Sequence, residues 1–211
     1  MERRVKIVAD KAIPFLEGVF EPYADVVYLN GSDIVPEVVK DADALIIRTR
    51  TVCNEELLAG SSVKIIASAT IGTDHIDYDA CDRLGIMVSN APGCNAGGVM
   101  EYVYSALYGT ASRKDINLEG KTIGVIGVGN TGGRVARMGV YLGFNVLKCD
   151  PPRAEKEGSF EFCTLEHLLR NSDIVTMHVP LNEETKNIAD ADFFKQMKKD
   201  AFFINCCRGE V

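Results

Sequence analysis

The feature that most constrains this chain is a glycine-rich turn between an apolar run and an amphipathic stretch. Residues 122–126 are predicted to form a strand and residues 130–142 a helix, and the turn that joins them contains Gly127-Val128-Gly129-Asn130-Thr131-Gly132. Gly127 permits a tight turn, Gly129 lets the backbone approach a pyrophosphate, and Gly132 lets the helix pack closely on the strand. The residues predicted to bind the pyrophosphate of a dinucleotide are Gly127, Gly129, Asn130, Thr131 and Gly132. A tight strand-to-helix turn that binds no ligand is the alternative.

A carboxylate follows the next predicted strand. Residues 145–149 are apolar enough for a buried strand, and Asp150 stands 23 residues after Gly127. A carboxylate at this place accepts hydrogen bonds from adenosine ribose hydroxyls and repels a 2′-phosphate, so the pattern predicts NAD. Asp150 is otherwise a turn residue before two prolines. Arg153 keeps NADP open, because its guanidinium either faces a 2′-phosphate or is solvated.

Strands and helices alternate along the whole chain, which predicts an α/β fold with parallel sheets. The predicted strands are 5–10, 25–29, 44–48, 64–69, 87–89, 122–126, 145–149, 174–178 and 201–206. The predicted helices are 14–23, 35–40, 54–59, 78–84, 95–112, 130–142, 164–171 and 190–198. The pattern breaks at residues 90–93, so we expect a first domain over 1–94, a hinge helix over 95–113 and a dinucleotide-binding domain over 114–211.

For the second domain we expect the strand order 3-2-1-4, with a crevice where the first and fourth strands diverge. Residues after the fourth strand would then lie beside the nicotinamide. Arg208 is the catalytic candidate from this position, since a guanidinium can hold a substrate carboxylate bidentately. A surface arginine at a strand end is the alternative. The neighbouring thiols of Cys206 and Cys207 are expected to pack rather than to do redox chemistry.

Composition excludes several classes of function. The formal net charge is −7, and no lysine or arginine run is longer than two residues, which argues against nucleic-acid binding. We expect no membrane span and no secretory signal, and therefore a cytoplasmic protein. The seven cysteines contain no C-x-x-C pair and the three histidines have no i, i+4 spacing, so no metal site is predicted.

Several motifs together resemble the D-isomer-specific 2-hydroxyacid dehydrogenases. They are Ala69-Thr-Ile-Gly-Thr-Asp-His75, Ala91-Pro-Gly-Cys-Asn-Ala96, Gly124-Val-Ile-Gly-Val-Gly-Asn130, Cys149-Asp-Pro-Pro-Arg-Ala154, His178-Val-Pro-Leu181 and Asn205-Cys-Cys-Arg-Gly209. The resemblance covers essentially the whole chain. It implies a flavodoxin-like substrate or lid domain followed by a Rossmann NAD-binding domain, and a homodimer for the full-length proteins of the family.

The resemblance also implies roles for individual residues. Arg208 matches the catalytic arginine of the family, and Thr49 and Thr70 match residues that contact the substrate. The positions matching the NAD site are Asp150, His178, Val179, Pro180, Cys206, Cys207 and Arg208. On electrostatic grounds, Arg48 is a candidate partner for a substrate phosphate or else a solvated residue at a strand end. His75 and His178 are expected to be structural or to line a cavity.

By resemblance the chain oxidises a phosphorylated 2-hydroxy acid with NAD, and 4-phospho-D-erythronate is the favoured substrate. D-3-phosphoglycerate and simple D-2-hydroxy acids remain alternatives, because the same arginine serves any 2-hydroxy carboxylate. The proton-transferring histidine and glutamate of the family would lie beyond Val211. We therefore expect a C-terminally truncated chain with an incomplete sheet and impaired turnover. The alternative hypotheses for the function are a noncatalytic NAD-binding fragment and an interaction protein.

Overall fold

The chain forms two compact units, each built on a parallel sheet. The computed structural model describes residues 3–211, and contacts divide the chain into one unit that ends at Cys94 and another from Asn95 to Val211. Both units alternate strands with helices, which confirms the predicted α/β class. Among residues 3–211 no helix is both long and apolar enough to cross a bilayer, and no group of three or more His, Cys, Asp or Glu side chains is placed to hold a metal ion.

The first unit has five parallel strands in the order β2-β1-β3-β4-β5, which is the flavodoxin-like order. Its strands are β1 (Val5–Asp10), β2 (Ala24–Leu29), β3 (Ala44–Ile47), β4 (Ile65–Ser68) and β5 (Met87–Ser89). Its helices are α1 (Pro36–Val39), α2 (Glu55–Leu58) and α3 (Tyr78–Leu84). Val8, Leu45 and Ile66 from the sheet are fully buried and form the core with Leu58 of α2.

The helix predicted over residues 14–23 is wrong, because this segment forms a series of turns. Its apolar residues have helical spacing, but Pro14, Gly18 and Pro22 interrupt any regular helix. Phe15 and Gly18 have positive φ angles of 61° and 87°, and the Phe15 side chain is 96% exposed. The apolar spacing therefore reflects no buried face.

The second unit has four parallel strands in the order β7-β6-β8-β9. Its strands are β6 (Thr122–Ile126), β7 (Asn145–Cys149), β8 (Ile174–Met177) and β9 (Phe202–Asn205). Its helices are α4 (Ala96–Arg113), α5 (Asn130–Tyr141), α6 (Pro151–Glu157), α7 (Leu165–Asn171) and α8 (Ala191–Gln196). In register, Ile126 pairs with both Cys149 and Met177, and Met177 pairs with Asn205, so the carboxyl ends of all four strands lie along one edge.

The strand order 3-2-1-4 predicted for this unit is wrong. The strand next to β6, on the side away from β7, is β8, and β9 lies one strand further out. All four strands are short, apolar and parallel, so their sequences do not encode which of them become neighbours. The crevice at the point where strand order reverses is therefore between β6 and β8.

Helices cover both faces of the second sheet. Ile123 and Val125 of β6 pack in a core with residues of α4 and α5, whereas Ile126 packs on the other face with Leu168 of α7. The Tyr104 hydroxyl of α4 donates to the Val135 carbonyl oxygen of α5 at 2.7 Å, which fixes these two helices within the unit. A hinge role for residues 95–113 stays a prediction.

Candidate functional site

The three motif glycines differ in what surrounds them. Gly127 has φ of +77°, and a Cβ there would lie 2.8 Å from the His178 carbonyl oxygen. At Gly132 a Cβ would lie 1.9 Å from the Gly127 carbonyl oxygen, so only glycine lets α5 approach this closely. A Cβ at Gly129 would meet nothing within 4 Å. The turn thus has two sterically obligatory glycines and one that faces open space.

The open glycine stands at the N-terminus of α5. The first backbone bond of the helix runs from Gly133 N to Gly129 O at 2.8 Å. The amides of Asn130, Thr131 and Gly132 precede this bond in the first turn, where helical N–H groups have no carbonyl partner in their own helix. The first turn carries no acidic side chain. This end of α5 fits a pyrophosphate, because open space, free N–H groups and the positive end of the helix dipole coincide.

Asp150 is tied to this turn. Its Oδ2 accepts from Val128 N at 2.7 Å and its Oδ1 accepts from Arg153 N at 3.1 Å. Asp150 is therefore the N-cap of α6, a helix absent from the sequence-based prediction, with prolines in its first turn. A carboxylate has about four acceptor positions, so both oxygens can still accept a ribose hydroxyl.

Arg153, the candidate for a 2′-phosphate, is already engaged by its own chain. Its Nη1 donates to the Val128 carbonyl oxygen, its Nε donates to Glu157 Oε1 at 2.9 Å, and its Nη2 bonds the second Glu157 oxygen. The sequence alone did not indicate a role for Glu157 or the contact with Val128. The i, i+4 spacing of Arg153 and Glu157 would have indicated the pair if a helix had been predicted there.

The segment after β8 borders the glycine turn. A Cβ at Gly127 would also lie 2.8 Å from Val179 Cγ1, so Val179 packs directly against this glycine. His178 Nε2 lies 2.9 Å from Thr176 Oγ1, and its buried Nδ1 has no hydrogen-bond partner within the described part of the chain. Burial lowers the pKa of His178 to about 4, so the ring is neutral at neutral pH. Pro180 is exposed.

The segment after β9 reaches the same region through Cys207. Val179 N donates to Cys207 Sγ at 3.1 Å, and Cys207 N donates to Asn205 Oδ1 at 2.7 Å. Burial raises the pKa of Cys207 to about 11 and also raises the pKa of Cys206, so both thiols are protonated at neutral pH. Arg208 is exposed. The observed strand order places β8 between the strand that leads to Arg208 and β6.

The predicted substrate residues belong to the first unit. Arg48 and Thr49 are exposed directly after β3, and Arg48 Nη1 donates to the Ala12 carbonyl oxygen at 3.0 Å. Thr70 follows β4, and its hydroxyl lies 2.8 Å from Ser68 Oγ and donates to Gly72 O at 3.1 Å. His75 is buried, with Nε2 3.5 Å from the same Ser68 hydroxyl. These residues form two clusters at the carboxyl ends of β3 and β4.

Comparisons with known proteins point to one family. Residues 101–211 match the family model described as D-isomer specific 2-hydroxyacid dehydrogenase, NAD binding domain. The chain is 47% identical over 98% of its length to an erythronate-4-phosphate dehydrogenase of Bacteroides fragilis, of which it covers 61%. It is 41% identical, again over 98% of its length, to the enzyme of the same name in Photorhabdus laumondii, of which it covers 56%.

A solved structure agrees with these matches. NAD⁺-bound 3-phosphoglycerate dehydrogenase of Entamoeba histolytica superposes with a TM-score of 0.83 at 30% identity, covering 99% of this chain and 73% of that one. The chain spans about three fifths of the length of the Bacteroides fragilis relative. The family match coincides with the unit that carries the glycine turn, Asp150 and Arg208. This chain belongs to the D-isomer specific 2-hydroxyacid dehydrogenases, and its second unit is a NAD-binding domain of that family.

Proposed function

We propose that this chain binds NAD(H) at the carboxyl edge of its second sheet. We further propose that it takes part in the NAD-dependent oxidation of 4-phospho-D-erythronate to 2-oxo-3-hydroxy-4-phosphobutanoate. The observation that carries the cofactor part is the glycine turn, in which Gly127 and Gly132 have no room for a Cβ and Gly129 faces open space. The substrate part is supported by the name and the 47% identity of the Bacteroides fragilis relative.

The proposal assigns the cofactor to residues of the second unit. Amides of Asn130, Thr131 and Gly132 bind the pyrophosphate, and Asp150 accepts from the adenosine ribose hydroxyls. The segments after β8 and β9 are proposed to line the rest of the cofactor site, beyond the pyrophosphate. Their residues are His178, Val179, Pro180, Cys206, Cys207 and Arg208. When bound, the nicotinamide ring supplies the hydride acceptor.

For the substrate, the proposal assigns Arg208 to the carboxylate. A guanidinium holds a carboxylate through two parallel hydrogen bonds and so fixes the neighbouring hydroxyl-bearing carbon. Thr49 and Thr70 are proposed as further substrate contacts and Arg48 as a partner for the phosphate, since Arg48 and Thr49 are exposed cationic and hydroxyl groups at one strand end.

No residue of the proposed cofactor site suits removal of the hydroxyl proton. A general base works best when its pKa is near the working pH, and burial holds the pKa of His178 at about 4. We therefore expect this 211-residue chain to bind NAD(H) with impaired turnover. We further propose a cytoplasmic protein and, for the full-length proteins of the family, a homodimer. Sedimentation analysis tests whether this chain dimerises.

The test is NADH titration of the purified chain, followed by NADH formation with NAD⁺ and 4-phospho-D-erythronate. We expect saturable binding that Asp150→Ala weakens at least about tenfold, because one acceptor of the ribose and of Val128 N is lost. Glu155→Ala, an exposed change on the same helix, is the control. Absence of binding by the unchanged chain would refute the cofactor assignment, and turnover at an ordinary enzymatic rate would refute the impairment.

A second candidate substrate is D-3-phosphoglycerate, favoured by the structural match to the Entamoeba histolytica enzyme. Both acids carry a 2-hydroxy carboxylate and a phosphate, so the same arginine serves either. Protection of the chain against heat by each acid in the presence of NADH compares them without requiring turnover. Stronger protection by D-3-phosphoglycerate than by 4-phospho-D-erythronate would reverse the proposed order.

A further inference from the structure

The peptide groups of Val128, in the middle of the glycine turn, are held on both sides by the segment that follows β7. The Val128 N–H donates to Asp150 Oδ2 at 2.7 Å, and the Val128 carbonyl oxygen accepts from Arg153 Nη1. Val128 itself is buried. The orientation of the backbone between Gly127 and Gly129 is therefore set by two side chains that lie three residues apart.

Glu157 in turn fixes the arginine. Three of the five guanidinium N–H donors are used by these contacts: one on Nη1 by Val128 and one each on Nε and Nη2 by Glu157. The guanidinium also lies over the Phe162 ring, 5.6 Å from its centroid. The Arg153 and Glu157 side chains are 38% and 51% exposed. Exposed ion pairs of this kind add little to the free energy of unfolding. The main effect of the pair is therefore to hold the guanidinium in place beside Val128.

We infer that Arg153 is a positioning residue for the phosphate-binding turn, and that Glu157 is a specificity-determining residue that keeps this arginine from serving a 2′-phosphate. Glu157 compensates the positive charge of Arg153 and directs its guanidinium to the Val128 carbonyl oxygen. Arg153 lies three residues after Asp150, the carboxylate proposed to accept from the adenosine ribose. Discrimination against NADP(H) thus has two sources, repulsion by Asp150 and engagement of Arg153 by Glu157. This inference rests on the NAD(H) binding proposed above.

The chain contains a matched pair away from the turn. Glu166 and Arg170 on α7 form an ion pair of the same i, i+4 spacing at 2.8 Å, with side chains 61% and 63% exposed. Glu166→Ala removes the same group from the same kind of pair. It separates the effect of any lost surface ion pair from an effect on the cofactor.

The experiment measures dissociation constants for NADH and NADPH with the unchanged chain, Glu157→Ala, Arg153→Ala, the double variant and Glu166→Ala. We expect Glu157→Ala to shift the ratio of the two constants about tenfold towards NADPH, because the released guanidinium can then bond a 2′-phosphate. Arg153→Ala is expected to weaken NADH binding about fivefold, and the double variant to lose the gain for NADPH. Glu166→Ala should leave both constants unchanged.

Urea unfolding of each variant shows whether the variant is folded. The ratio of the dissociation constants for NADH and NADPH does not depend on the fraction of protein that is active. An unchanged ratio in Glu157→Ala, or a gain for NADPH that persists in the double variant, would overturn the inference while leaving the proposed function intact. Failure of the unchanged chain to bind NADH would overturn both.

Discussion

At the scale of single residues, Gly129 and Gly132 are glycines for different physical reasons, and alanine separates them. Gly132→Ala places a Cβ 1.9 Å from a backbone oxygen, so we expect the free energy of unfolding to fall by at least about 2 kcal/mol. Gly129→Ala enters open space at an ordinary φ of −72° and should change stability by less than about 1 kcal/mol, yet weaken NADH binding at least about tenfold.

Urea unfolding and NADH titration on the two variants check this pair. A stable Gly132→Ala protein would mean that α5 can move away from β6 at no cost. Tight NADH binding by Gly129→Ala would mean that the pyrophosphate does not approach this glycine.

His178 gives a prediction for pH. Burial lowers its pKa from 6.5 to about 4, so the folded chain stays unprotonated where the unfolded chain takes up a proton. At a pH well above about 6.5 neither state is protonated, and the group has no effect on stability. As the pH falls from about 6.5 to about 4, the free energy of unfolding decreases, by up to about 3 kcal/mol at 1.36 kcal/mol for each pKa unit.

Urea unfolding at pH 7 and pH 5 measures this slope. We expect His178→Gln to lose less stability than the unchanged chain between these values, whatever its stability at pH 7. His167→Gln, at an exposed position of α7, is the control and should keep the original slope. Equal losses in all three proteins would show that His178 titrates normally.

At the scale of elements, the contact between β6 and α7 depends on a glycine outside the motif. A Cβ at Gly124 would lie 2.4 Å from both Leu168 Cδ2 and Ser172 Oγ. Gly124→Ala should therefore lower the free energy of unfolding by about 1–3 kcal/mol through overpacking. Gly109→Ala, four residues before the end of α4 and with only Arg113 Nη2 at 3.9 Å, should raise the free energy of unfolding by up to about 1 kcal/mol.

Both substitutions replace glycine by alanine. If the urea midpoints shift in opposite directions while the denaturant dependence of the unfolding free energy stays the same, the difference comes from packing. A loss of stability in both variants would mean that the loss at Gly124 does not come specifically from its close packing against Leu168 and Ser172. The helix α6 belongs to this scale too. In the sequence, an aspartate followed by proline indicates the N-cap and first turn of a helix here. The interpretation of Asp150 as a turn residue did not take this pattern into account.

At the scale of the whole molecule, the two units have separate sheets and separate cores, and the proposed cofactor contacts all lie in the second. NADH at a hundred times its dissociation constant should stabilise the folded state that binds it by about 2.7 kcal/mol. We expect hydrogen–deuterium exchange to slow in β6, β7 and β8 on addition of NADH, with little change in β1 and β3. Equal protection of both sheets would show that the two units open as one cooperative body.

The sequence by itself determined the α/β class, most of the strands and helices, and the glycine turn with Asp150, because each rests on local spacing of apolar residues, glycines and caps. The tertiary structure decided which strands are neighbours, and it placed β8 rather than β9 beside β6. It also decided that His178 is half-buried with its Nδ1 enclosed, and that Arg153 bonds Val128 and Glu157 instead of standing free. Strand neighbours and side-chain partners depend on contacts between residues far apart in the chain, and short apolar parallel strands carry no local mark of their order.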